Sequence, residues 1–443
     1  MSLSPETIHR IDVLAADGRA RGQVPSLVIG VIRDGELVHV AGAGEQPAPD
    51  PHTHYRIGSI TKTMTAVSVL QLRDEGRLGL DDPLHRHLPD TPVGHLTLRQ
   101  LLGHAGGLQR EPDGPWWERS EGGDVAALLA GLSPEKIAFP PYRLHHYSNL
   151  AYGLLGAVIE HVTGERWWDR LRDRVLEPLG MRRTSYQAQE PFARGYVRHP
   201  WLGTLREEPR TDTGAMAPAG QLWSTVSDLA RWAAFLADPE PAVLAPATLA
   251  EMCVPVILSD LESWSSGHGL GLELYRVGER IYVGHGGSMP GYQATLAVHR
   301  PSRTAVVGYG NVYNFRDGHL GALGKTVLTT VLDHEPVPAP ARLWRPAAAP
   351  PPASAAELCG RWWWMGREFE ASWDDRDQEL LITPLPWGQL PPWRFREQAP
   401  DRWRGTSGMN NGEVLQVRRD PGGAVEALDI ATFILTRDPD RLS

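Results

Sequence analysis

The 443-residue sequence predicts an α+β fold: an antiparallel sheet assembled from both ends of a long segment and flanked by helices, then a small antiparallel β-barrel. Three observations carry this. Strand-like runs bracket a long helical middle. A Pro-Ala-rich stretch over 336–356 reads as a stiff linker. Beyond it, about eight short alternating runs, rich in Trp and punctuated by Gly, Pro, Asn and Asp, have the spacing of a barrel. The expected divisions are 1–335, the linker 336–356, and 357–443.

Each element has a local cause. Ser4-Pro5-Glu6 reads as an N-cap, a proline at the first helical position and an acidic first turn, opening a helix to about Arg21. Ser26–Arg33 and Glu36–Ala41 are apolar-rich runs joined by Asp34-Gly35, a hairpin signal. Helical periodicity follows over Ser59–Glu75, Asn149–Val162, Trp167–Leu179 and Ser227–Leu236. Strands return as Leu272–Val277 with Arg280–Gly284, then Gln293–His299 with Thr304–Gly310. Leu320–Leu332 closes the segment as an amphipathic helix.

Composition excludes several roles. Hydrophobic residues make up 41% and charged residues 22%, as in a globular protein. Net charge is -9 and basic residues form no runs, which argues against nucleic acid as partner. Cys253 and Cys359 stand far apart in no metal-binding spacing, so neither a disulfide framework nor a zinc site is expected, and no cofactor. No apolar stretch approaches the ~20 residues of a membrane span. Met1–Gly22 contains no apolar core of a signal peptide, so the expected location is cytoplasmic. Lysine occurs only at 62, 136 and 325. A lysine in a demanding position is therefore informative, because it can surrender its proton near neutrality and arginine cannot.

Three short segments carry candidate chemistry. In Gly58-Ser59-Ile60-Thr61-Lys62, Ser and Lys at i and i+3 share one helix face, and Ser59 sits at the positive end of the helix dipole. Serine needs a base within reach, and a desolvated lysine can be that base. Taken alone, the segment also fits a capping serine followed by a surface lysine. Tyr147-Ser148-Asn149 offers a phenol to relay a proton and an amide to orient the lysine, or else an Asn N-cap beside a core tyrosine. Gly284-His285-Gly286-Gly287-Ser288 follows an apolar strand; its glycines allow close backbone approach and an adjacent N–H can serve an oxyanion, although a tight turn reads the same way. No G-x-S-x-G elbow, H-E-x-x-H or P-loop is present. Adjacent His145 and His146 do not converge on one ion, and His104 is expected to buttress a loop. Trp116, Trp117 and Trp223 are candidates either for the cleft wall or for packing.

Together and in this order the segments resemble the serine β-lactamase and penicillin-binding superfamily, with its S-x-x-K, Y-x-N and K-T-G or H-x-G motifs. The Y-x-N form resembles the class C branch, shared with D-aminopeptidases, D-Ala-D-Ala carboxypeptidases and carboxylesterases. The likeness runs from about Ile8 to Leu332, supported by Tyr55-Arg56-Ile57-Gly58, by Leu101 to Leu108 and by Leu150-Ala151-Tyr152. It implies Ser59 as nucleophile, Lys62 as its activator, Tyr147, Asn149 and His285 as catalytic partners, and the N–H groups of Ser59 and Ser288 as oxyanion hole. Gly286, Gly287 and Trp223 are candidate substrate contacts from their residue types alone. Where class C β-lactamases carry a lysine in the third motif this chain has His285, and a neutral imidazole holds a carboxylate less well than an ammonium. Antibiotic hydrolysis is therefore not the expected task.

The carboxyl-terminal segment resembles the lipocalin-like barrel of many cytosolic members, through Glu357–Trp364 and Phe433–Arg437. Arg437 is a candidate carboxylate clamp or a stabilising arginine. The expected function is a serine hydrolase or acyltransferase acting on a peptidyl or acyl substrate. The leading candidate resembles stand-alone penicillin-binding-protein-type thioesterases, which take a nonribosomal peptide from its carrier protein and cyclise it through a D-configured terminal residue. A D-amino-acid peptidase or amidase and a short-chain esterase are the alternatives. A silent binding protein would require a missing motif residue, and none is missing. Oligomeric state is left open.

Overall fold

The computed structural model describes residues 2–45, 47–336, 350–386, 388 and 390–440. The chain divides into two compact units, Met1–Pro338 and Ala339–Ser443.

In the first unit, helix α1 (Pro5–Gly22) is capped by the Ser4 hydroxyl and leads into strands β1 (Ser26–Arg33) and β2 (Glu36–Gly44). Helices α2 (Thr61–Asp74), α3 (Asn149–Thr163) and α4 (Val226–Ala237) belong to the middle. Strands β3 (Ile257–Leu258), β4 (Ser266–His268), β5 (Glu273–Val277), β6 (Arg280–Met289), β7 (Tyr292–His299) and β8 (Thr304–Gly310) follow, then helix α5 (Leu320–His334). The eight strands form one sheet in the order β2-β1-β8-β7-β6-β5-β4-β3. Both ends of the unit thus meet where β1 pairs antiparallel with β8, Leu27 opposite Gly310.

Every residue of β1 is buried, because both sheet faces are covered. Leu27, Ile29 and Val31 pack with Ile11 of α1 and Val327 of α5 on one face. Val28 and Ile32 face the larger core, which holds most of α2, α3 and α4. Helix α2 is buried from Thr61 to Leu72 despite its hydroxyls. Those hydroxyls bond back to the chain: Thr63 to Ile60 O at 2.7 Å and Thr65 to Pro218 O at 2.9 Å.

Three expectations need correction. The helix expected over Trp167–Leu179 holds α-geometry only to Leu171 and continues as a wider π turn over Arg172–Leu176. Gly284 to Ser288 lie inside β6, which runs on to Met289, and do not form a turn after it. The linker expected over 336–356 lies largely outside the described residues, but its end is structured: Ala353–Ala356 is a helical turn with Ala355 in the second unit's core.

That second unit is a closed antiparallel barrel of eight strands taken in chain order, from Gly360–Trp364 to Phe433–Thr436, shut by the pair Trp363 and Thr436. Trp362, Phe369, Phe395, Trp403 and Leu428 fill its interior.

Candidate active site

The chain turns sharply into α2. Gly58–Ile60 form one 3-10 turn, and Gly58 takes φ 51°, a conformation that favours glycine. A Cβ there would lie 2.5 Å from the Ser288 backbone nitrogen, and one on Gly287 would lie 2.0 Å from Ile57 O. The two glycines therefore let β6 press against the start of α2. This brings the N–H groups of Ser59 and Ser288 into one region.

Lys62 lies one turn beyond Ser59 and is fully buried. Its Nζ donates to Ser59 Oγ at 3.0 Å, to Asn149 Oδ1 at 2.7 Å and to Ala219 O at 2.6 Å. Burial lowers its pKa to about 7, against the opposing pull of Glu118, Glu111 and Glu273. Near neutrality it is thus divided between ammonium and free amine, as a general base must be.

Ser148, and not Asn149, caps α3: its hydroxyl accepts from Ala151 N–H at 3.0 Å and donates to Gln109 O at 2.7 Å. Asn149 is left free for the site. Tyr147 precedes the cap, half-buried, with its ring 5.0 Å from Lys62 Nζ. Burial holds its phenol well above the ordinary value, and a hydrogen bond with Ser59 opposes this. It stays protonated and can deliver that proton. The His104 ring lies 4.3 Å from the Tyr147 ring and its Nδ1 accepts from Ser148 N–H at 3.0 Å, which is the buttressing role expected of it.

A cavity of about 600 Å³ joins these groups, lined by Ser59, Tyr147, Asn149, His285, Gly286, Gly287 and Ser288. His285 is buried, and burial lowers its pKa although Glu273 opposes, so the imidazole is neutral near pH 7. Burial would raise Glu273, but His285, His268, the Tyr275 hydroxyl and the Gly286 N–H outweigh it and hold the carboxyl at about 2.

Two of the expected contacts are engaged in packing. Trp223 is 2% exposed and packs edge-on against Tyr292 at 5.3 Å, so it supports the floor and does not line the cleft. Arg437 is engaged within the second unit. Its guanidinium donates to Glu357 O and Cys359 O at 3.0 Å and to Arg361 O at 3.1 Å, and lies 3.9 Å over the Trp362 ring. Trp117 is buried and donates to Glu111 at 2.7 Å, while Trp116 is exposed and meets Tyr313 of the cavity wall at 6.0 Å.

Acidic groups are what sequence reasoning missed. Glu118 and Glu273 line the cavity, and Glu111 grips Asn149. Burial and then Glu111 raise Glu118 to about 7, with Lys62 pulling the other way. No spacing signals these residues; they come from a loop and from the start of a strand.

A serine bonded to a buried, half-neutral lysine, with a protonated phenol and paired backbone N–H groups beside it, defines a serine acyl-enzyme site of the hydrolase and acyltransferase class. The chain belongs to the Beta-lactamase family, which matches residues 11–323. Residues 351–437 match a domain of unknown function, DUF7586. Beta-lactamase-like protein 2 of Dictyostelium discoideum is 29% identical over 268 residues, 57% of this chain and 48% of its own length. The chain spans about half to two thirds of the length of the curated relatives it matches. A D-stereospecific amidohydrolase from Streptomyces sp. superposes with a TM-score of 0.63 at 27% identity, over 73% of this chain and 98% of that one. SurE superposes with a TM-score of 0.59 at 25% identity, over 98% of this chain and 99% of that one.

Proposed function

We propose that the chain forms a Ser59 acyl-enzyme from a peptidyl or acyl substrate with a D-configured reacting residue and passes the acyl group to an amine. On this reading it is a stand-alone thioesterase of the penicillin-binding-protein type that releases and macrocyclises a nonribosomal peptide. Ser59 Oγ attacks the carbonyl carbon as Lys62 accepts its proton, the Ser59 and Ser288 N–H groups receive the oxyanion, and the Tyr147 phenol protonates the leaving group.

The charge of the cleft carries the proposal. Of the Lys and Arg side chains lining it, Arg110 is paired with Glu111 at 3.0 Å and Lys325 lies 3.6 Å over the Tyr275 ring, while Glu118 and Glu273 face the same space. With two cations against two acids, the lining has no cationic excess to select a substrate with a free carboxylate beside the scissile bond. It suits a thioester, ester or amide and the approach of an amine, whose released proton Glu118 can take with its pKa of about 7. Delivery on a carrier protein and a cytoplasmic location are parts of the proposal; no helix among the described residues is long and apolar enough to cross a membrane.

A second reading, a D-amino-acid amidase or peptidase, is favoured by the likeness to the Streptomyces D-stereospecific amidohydrolase. A linear peptidyl thioester ending in a D-residue, offered beside its L-epimer, separates the two. Macrocycle from the D-substrate alone is expected. Linear acid only, with brisk cleavage of D-amino-acid amides, would transfer the assignment to the second reading.

A further inference from the structure

Against the wall that carries His285, four imidazoles crowd together. His268 stacks on His145 at 4.7 Å, meets the edge of His104 at 4.9 Å, and lies 6.0 Å from His285. It is 5% exposed, and neither of its ring nitrogens has a hydrogen-bond partner in the protein. His285, 2% exposed, leaves Nε2 equally unpartnered. Buried polar atoms are nearly always paired, so three free ring nitrogens on two buried, neighbouring histidines leave donors in want of a ligand. Glu273 closes the group. Its Oε2 accepts from Gly286 N–H at 2.9 Å and from the Tyr275 hydroxyl at 2.7 Å, and its Oε1 lies 3.9 Å from His285 Nδ1.

We propose that His268, Glu273 and His285 bind a divalent transition metal ion, zinc by ligand type, and that the bound ion slows acylation of Ser59. One ligand atom from each residue lies within 4.8 Å of the others. Tetrahedral zinc with bonds of about 2.1 Å needs ligand atoms about 3.4 Å apart, a closure that side-chain rotation supplies. Two imidazoles and one carboxylate form a three-ligand zinc set that keeps a fourth position open. His285 and Glu273 both line the acyl cavity, so that position opens onto it. Binding an ion would place a dication beside the strand that supplies the Ser288 N–H. The substrate's approach to Ser59 is obstructed as a result. Lys62, Tyr147 and Asn149 take no part in holding the ion, and His268 does not line the acyl cavity, so a variant at His268 separates the ion's effect from the acylating machinery.

The test uses the full chain, stripped with a chelator and titrated with zinc chloride by calorimetry and with cobalt chloride by visible absorption. Labelling of Ser59 by a fluorophosphonate is followed in parallel. One ion per chain is expected, with the cobalt absorption of a four- or five-coordinate site and labelling slowed by about tenfold or more. His268→Phe keeps a ring against His104 and His145. It should lose the ion and the zinc effect while labelling at the parent rate without zinc. Glu273→Gln serves as a second variant and should weaken zinc by about tenfold or more, whether or not His268→Phe folds. Failure of the parent chain to take up zinc stoichiometrically, or unchanged zinc affinity in the variants, would overturn the site. Binding that leaves Ser59 labelling untouched would overturn its coupling to acylation.

Discussion

Both carboxylate oxygens of Glu111 stand 2.9 Å from Asn149 Nδ2. The clasp decides which end of the amide faces inward, and Oδ1 is the end that accepts from Lys62 Nζ at 2.7 Å. Glu111 also accepts from Trp117 Nε1 at 2.7 Å, so it ties a loop to the base of the site without touching a reacting atom. It is a positioning residue.

Glu111→Gln should slow Ser59 acylation by about tenfold, because it replaces one of the two oxygens that accept from Asn149 Nδ2 with an amide nitrogen and loosens the clasp. Glu111 also supports the Lys62 ammonium, so its removal should move the Lys62 titration to lower pH. The pH profile of acylation reads both effects. A slower rate with an unmoved profile and a lowered melting temperature would point to lost packing instead.

Acylation should fall as pH drops through about 7, where Lys62 gains the proton that prevents it from accepting the serine's. The sign follows from a depressed lysine pKa: the active free amine dominates above that value and the ammonium below it. Lys62→Arg should cost about 10²-fold or more at every pH, since guanidinium stays protonated. Single-turnover labelling from pH 5 to 9 measures this; substantial activity in the arginine variant would make Lys62 an electrostatic neighbour only.

Gly58→Ala should reduce acylation by about 10²-fold, the scale of losing an oxyanion donor. The added carbon meets backbone, the Ser288 nitrogen at 2.5 Å, which cannot rotate away as a side chain would. Kinetics with an activated ester, compared with Ser59→Ala as baseline, tests the point. Parent-like rates would separate Ser288 from the oxyanion.

Arg437→Ala should leave Ser59 labelling unchanged while destabilising the barrel by about 1 kcal/mol, through loss of its ring contact with Trp362 and of its bonds to three carbonyls. Hydrogen exchange of the barrel's strand amides, followed by mass spectrometry of peptides from 360–436, reports the barrel separately from the first unit. A changed labelling rate with unchanged exchange would restore the substrate-clamp reading.

What was legible in the sequence depended on range. Ser59 and Lys62 are three residues apart across a 3-10 turn and the start of α2, and Tyr147 and Asn149 flank one cap, so short spacing alone places each pair. The Asp34-Gly35 hairpin and the strand pairs near the end were equally local. Trp223 misled because an aromatic residue reads alike whether it floors a cleft or lines it; only its packing against Tyr292 decides. Glu111, Glu118, His268 and Glu273 left no signal, because they meet through the closing of the sheet and of a loop between motifs. The register of β6 against the start of α2 was hidden for the same reason, and the glycines that permit it read as a turn.

Strand β6 pairs with β5 only from Arg280 to Gly284, so from His285 to Met289 no partner strand lies on that side, although the Glu273 carboxylate occupies the Gly286 N–H. Two of those residues, Gly286 and Gly287, carry no side chain, and the Ser288 N–H belongs to the same stretch. A guest molecule lying there is read by amides and carbonyls, which register the path and handedness of a main chain but not the identity of its substituents. Fussiness about configuration with tolerance of side-chain size is the expected temperament of such a wall. Whatever narrows the choice of guest must come from the other side chains that line the cavity, Arg110, Glu118 and Tyr313 among them.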